Sequence, residues 1–182
     1  GYLNLWKATG EEGWLLKAKR AGDDLVMGQL PSGNFINSCF ELNPNTGGTP
    51  HEAAADLGLL TLACELDSMG DPMWQRYYNT AKKNLKQFYF DKLWNEDAQC
   101  FYDAPGIPSF VPNKTATLIQ ALFLCIQLSG TQYILDKYII PALEKILTFQ
   151  VQEGGLIGGI YQNSLSGRRI EACFPYYIAR CI

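Results

Sequence analysis

Glu52 and Asp56 are the pair of side chains best spaced for joint chemistry. They stand at i and i+4 in the segment PHEAAADLGLLTLACELDS. That spacing places both carboxylates on one face of a helix whose apolar stripe is Ala53, Leu57, Leu60 and Cys64. Two carboxylates projecting into one cleft could divide general acid and general base work between them. The spacing also has a plainer use, because acids in a first helical turn complement the positive end of the helix. His51, the only histidine, precedes them after the turn-forming run NTGGTP. Its ring titrates near neutral pH, which suits proton transfer or substrate binding. Three alanines follow His51-Glu52, so the segment is not the zinc-binding H-E-x-x-H pattern.

The remaining candidates lie in loops. Tyr102, Phe110 and Tyr161 are loop aromatics able to stack on a flat ligand face, and Asp103 beside Tyr102 is a lesser acid candidate. Arg168, Arg169 and Glu171 follow the loop NSLSG and open a predicted last helix, Arg169 to Ile182, which also carries Tyr176 and Tyr177. An arginine there could hold a ligand carboxylate; the plain alternative is a solvated ion pair. The sequence has no P-loop, no dinucleotide fingerprint and no G-x-S-x-G elbow, so no cofactor is expected. None of the six cysteines forms a C-x-x-C pair, and no metal site is expected. Cys64 and Cys125 fall inside apolar helical stretches and read as buried free thiols. That favours a reducing compartment and points to the cytoplasm.

The elements that must position these residues are set by a repeat. Gly10, Gly70 and Gly130 are each 60 residues apart. Trp6, Leu66 and Ile126 come four residues before them; Trp14, Trp74 and Ile134 come four after. Offsets of four on both sides of a glycine describe two helices with one buried face each, joined at a left-handed cap. Asp71-Pro72 then supplies an N-cap and a first-turn proline. The map is Tyr2 to Ala8 with Glu11 to Val26, His51 to Ser68 with Pro72 to Phe90, and Asn113 to Leu128 with Gln132 to Gln150. Pro141 should kink its helix or move a boundary. Between the hairpins run long connections rich in Gly, Pro and aromatics, where FINSCF and QCFYD could form short strands. Trp6, Trp14 and Trp74 sit at repeat positions and read as core. The fold class is all-α: an arc of an α/α toroid, with residues 1–182 one helical-repeat domain.

Composition narrows the partners. Hydrophobic residues make up 47% and charged residues 18% of the 182, which is a globular balance. The net charge of −3 and the lack of a Lys/Arg run disfavour nucleic acid. The longest apolar stretch, Thr117 to Leu128, is too short to span a bilayer, so no membrane partner is expected.

The glycine-centred hairpin with a following Trp or Tyr, and the Gly-aromatic loop between hairpins, resemble the six-hairpin glycosidase superfamily. That resemblance covers nearly the whole chain through repeat features. It implies two rings of helices around a cleft, and a glycoside hydrolase, lyase or epimerase acting on an oligosaccharide. Glu52 and Asp56 would be catalytic; His51, Tyr102, Tyr161, Arg169, Glu171 and Tyr176 would bind substrate. The segment from Phe149 to Leu156 is similar, once and imperfectly, to the F-x-x-Q-x-x-G-G-F repeat of terpenoid cyclases and prenyltransferases, but no D-D-x-x-D motif accompanies it. A non-catalytic helical-repeat interaction module is the alternative from another class. Six hairpins need roughly 360 residues, so three periods predict a fragment of a larger toroid or a homodimer that buries the open repeat ends.

Overall fold

The computed structural model describes residues 1–36, 50–165, 168–170 and 172–173. Three helical hairpins follow one another. The first joins α1 (Tyr2–Thr9) to α2 (Glu12–Met27). The second joins α3 (Pro50–Ser68) to α4 (Trp74–Asn84), which continues as a π-helical stretch over Leu85–Leu93. The third joins α5 (Pro112–Ser129) to a π-helical Leu135–Ile139 that leads into α6 (Ile140–Leu147). The all-α arc expected from the repeat is the architecture found, with small β-hairpins in the long connections.

The glycines do what their spacing predicts. Gly10, Gly70 and Gly130 have φ of 71°, 71° and 67°, a left-handed conformation that costs glycine least. The carbonyls of Trp6, Leu66 and Ile126, themselves 60 residues apart, accept the capping N–H groups: Gly10 at 2.7 Å, Asp71 at 2.9 Å and Gly130 at 2.7 Å. Asp71 caps the next turn by accepting the Met73 N–H at 2.9 Å and is ion-paired to Lys19 at 2.7 Å. Pro141 also acts as expected. It has no N–H to give, and the turn before it widens so that the Ile140 N–H reaches back to Leu135 O.

α3 packs against α2, α4 and α5, and the core lies between these helices. Leu59, Leu60, Leu66, Tyr77, Phe88 and Leu122 are among its fully enclosed side chains. Trp6 and Trp74 pack on this core, whereas Trp14 stacks on Tyr2 at 6.0 Å with Lys17 over its ring at 4.0 Å. Cys64 and Cys125 are free thiols, the second buried. Among the described residues, no helix is long and apolar enough to cross a membrane.

The strands are short. β1 (Trp94–Asn95) pairs antiparallel with β2 (Cys100–Phe101), inside the predicted QCFYD segment. β3 (Asn163–Leu165) pairs with β4 (Arg168–Ile170), with Ser164 opposite Arg169. This corrects the sequence reading of a helix starting at Arg169. Residues 168–170 are extended because they pair with Asn163–Leu165, and that long-range pairing overrides the local pattern at Arg169; residues 174–182 of the expected helix lie outside the described residues. Phe35 of FINSCF forms an isolated bridge with Gln29; residues 37–40 lie outside the described residues.

Candidate functional site

The long connections meet the N-terminal ends of α3 and α5, and polar residues gather there inside the protein. Glu52 is 1% and Asp56 0% exposed. They share one face of α3, as their spacing predicts, but that face is covered by α4 and by the connection after α2.

The connection is a tight loop held by reciprocal bonds. Leu30 N–H donates to Asn34 O at 2.7 Å, and Ile36 N–H to Gly28 O at 2.8 Å. Gly33, with φ 88°, approaches α4 so closely that a Cβ would lie 3.2 Å from Lys83 O. Glu52 ties this loop to the helices. Its carboxylate accepts the Phe35 N–H at 3.2 Å and 3.4 Å and the Asn84 amide at 2.7 Å. The same Asn84 amide donates to Gly33 O at 2.9 Å. Burial raises the Glu52 carboxyl above its ordinary range, opposed by the bonds from Asn84, Phe35 and Asn34. Asp56 has no such compensation. Neither of its oxygens has a hydrogen-bond partner among the described residues. Burial, then the charge of Glu52, pushes it well above the usual carboxylate range. An enclosed carboxyl without partners favours its protonated form more than an exposed one does.

Tyr89 links this buried pair to the loop side. The π-helical register turns both Phe88 and Tyr89 inward, their rings edge to face at 5.4 Å. Burial and the nearby charges of Asp56, Glu52 and Asp103 raise the Tyr89 phenol, and a backbone hydrogen bond with Ala53 opposes them. Beyond Tyr89 lies a cavity of about 20 Å³ whose polar lining comes from Tyr89, Tyr102, Asp103, Lys114 and Thr115. That volume suits about one water molecule or one ligand hydroxyl.

Asp103 and Lys114 form the charged pair at this cavity, Lys114 Nζ donating to Asp103 Oδ1; both are about a quarter exposed. Local structure fixes each partner. Asp103 N–H donates to Ser109 O at 2.7 Å, closing a small loop with Gly106 at φ 75°. Lys114 stands in the first turn of α5, begun by Pro112 after the extended Val111. The β3–β4 hairpin latches onto this loop: Phe110 N–H donates to Ser164 Oγ at 3.0 Å, and Ser164 N–H to Phe110 O at 2.8 Å.

The other sequence candidates are spread more widely. Tyr102 lines the small cavity and a neighbouring one of about 360 Å³. Phe110 is 2% exposed and packs on Phe149 at 5.0 Å, leaving little of its face for a ligand. Tyr161 is half-buried against the core. His51 belongs to the first turn of α3 and Arg169 to β4. Glu171 and Tyr176 lie outside the described residues. Sequence reasoning missed Asn84, Tyr89 and Lys114. Asn84 has no signal beyond a lone amide in an amphipathic helix, and Lys114 gains meaning only when the loop returns Asp103 to it.

No protein-family model and no curated protein matches the sequence. Solved structures do. The chain superposes on a sugar epimerase from a ruminal bacterium with a TM-score of 0.73 at 16% identity, covering 99% of this chain and 49% of that one. It superposes on a D-mannose isomerase with a TM-score of 0.73 at 15% identity, covering 99% and 50%. The shared feature is the fold. The chain spans about half the length of either structure.

Proposed function

We propose that this chain is an arc of an α/α toroid that binds and converts a sugar at the N-terminal ends of α3 and α5. The observation that carries the reading is the shared fold with two sugar-converting proteins over 99% of the chain. The polar cluster at those helix ends supports it.

Within that reading, proton transfer on a free sugar fits better than hydrolysis. Hydrolysis of a glycosidic bond needs two accessible carboxyl groups on either side of it, and Glu52 and Asp56 are enclosed. Their proposed role is positioning: Glu52 fixes the loop over α4, and Asp56 lies enclosed one turn further along the same helix. Asp103 is the proposed base, removing the proton beside the carbonyl of an open-chain sugar. Lys114 stabilises the oxygen on which negative charge develops. His51, Tyr102, Tyr161 and Arg169 are the proposed substrate contacts, with Glu171 and Tyr176 completing the set drawn from the sequence.

The test is proton exchange. Incubating the protein with D-mannose, D-glucose or D-fructose in deuterated water should place deuterium at C2 of the aldoses or C1 of the ketose, read by NMR, and Asp103→Asn should abolish it. A folded sample that neither binds nor exchanges any of these sugars overturns the reading. The enclosure of Glu52 and Asp56 favours a second reading, a non-catalytic helical-repeat module, and that result would support it.

A further inference from the structure

A cavity of about 380 Å³ lies far along the helices from the Asp103–Lys114 pair, beside the C-terminal end of α5 and between the second and third hairpins. Its size falls in the range of small-molecule sites. Tyr78, Lys82 and Lys86 are spaced by four and line one wall from a single helical face. Lys82 Nζ stands 5.4 Å from the centre of the Tyr78 ring, and its charge opposes the burial-driven rise of the Cys125 thiol at the base. Its ammonium is therefore directed into the cavity. Neither Lys82 nor Lys86 forms an ion pair among the described residues, and Asp91 is the one carboxylate of the lining. Phe90 continues the same row four residues beyond Lys86 and stacks on Tyr138 of the third hairpin at 4.1 Å with an interplanar angle of 3°, so an aromatic pair bounds the cavity there. Thr131 supplies a hydroxyl near the rim.

We propose that this cavity binds a small organic anion carrying a flat apolar ring. The anionic group sits between Lys82 and Lys86, and the ring lies against the Phe90–Tyr138 wall. Two unpaired ammonium groups favour an anion, and desolvation over an aromatic surface strengthens that attraction. The cavity is open to solvent on the side of the two lysines and mostly apolar in its lining, so a ligand needs both a charged and a flat apolar part to fill it. The inference stands apart from the sugar chemistry at the other end of the helices.

Calorimetric titration with phenyl phosphate tests it, with inorganic phosphate and neutral phenyl β-glucoside as comparators. Phenyl phosphate should bind at least about tenfold more tightly than either comparator, and more weakly as salt rises. The double variant Lys82→Met/Lys86→Met should lose at least about tenfold in affinity with an unchanged circular-dichroism spectrum, both side chains being exposed. Asp91→Asn should bind more tightly. Equal affinity for the neutral glucoside, equal affinity for inorganic phosphate, no binding by about 10 mM, or an unaffected double variant would each overturn the proposal.

Discussion

The Asn84 side-chain amide donates at once to Glu52 Oε2 at 2.7 Å and to Gly33 O at 2.9 Å, so one amide holds a buried carboxylate and a loop together. Replacing it strands both acceptors inside the protein. Asn84→Ala should lower stability by about 2–4 kcal/mol, because an uncompensated buried charge costs more than the bond it loses. Glu52→Gln, which keeps the shape and one acceptor, should cost about half as much or less. Urea denaturation at neutral pH measures both. An Asn84→Ala protein as stable as the parent would show that Glu52 is not the loop's anchor.

Asp56 should leave a pH signature. Its folded-state pKa lies well above the ordinary 3.8, so the folded protein binds its proton more tightly than the unfolded chain does. The stability this contributes is fully present below the unfolded value and is lost as pH rises towards the folded one. Asp56→Asn has no proton to lose. Its stability relative to the parent should therefore rise as pH climbs above the ordinary 3.8, by up to about 1.4 kcal/mol for each step of one in pH until the folded-state value is passed. Thermal midpoints of both proteins along one pH series read this directly, and a constant difference would refute it.

Two glycines make opposite predictions. A Cβ on Gly22 would stand 2.7 Å from Leu62 Cδ2 and 2.9 Å from Tyr77 Cε1. Gly22→Ala should force α2 away from the core at a cost of about 1–3 kcal/mol. Gly58 lies inside α3 with nothing within 4 Å of the same position. Gly58→Ala should stabilise by about 0.5–1 kcal/mol through helix propensity and a stiffer unfolded chain. Matching effects from the two substitutions would contradict this packing.

Asp103 and Lys114 separate binding from stability. Pairs this exposed contribute under about 1 kcal/mol to folding, so Lys114→Met should change the denaturation midpoint little. If the pair meets substrate, the same change should weaken sugar affinity by about tenfold or more. Loss of stability with unchanged sugar affinity would assign the pair to the scaffold.

Much of the scaffold was legible in the residues themselves. Gly10, Gly70 and Gly130 reveal the hairpins because a left-handed cap needs glycine and the flanking stripes need the helical period, both local requirements. The enclosure of Glu52 was not legible, because it depends on Phe35 and Asn84, which are 17 and 32 residues away. An i, i+4 pair of acids reads the same whether its face meets solvent, a cleft or another helix. β4 escaped for a different reason: Arg168–Ile170 is too short to show alternation, and its partner strand decides its state.

None of the eight residues of α1 is buried. Opening that helix releases only the partly buried contacts of Leu3 and Trp6, so it should unfold locally while α3 and α5 stay intact. Amide hydrogen exchange would then be graded through the arc, fast over Tyr2–Thr9 and slowest where α3 is enclosed by three neighbours. The chain would behave as a stack that frays from the first hairpin rather than as one all-or-none unit, and its most protected amides would lie beneath the proposed sugar site.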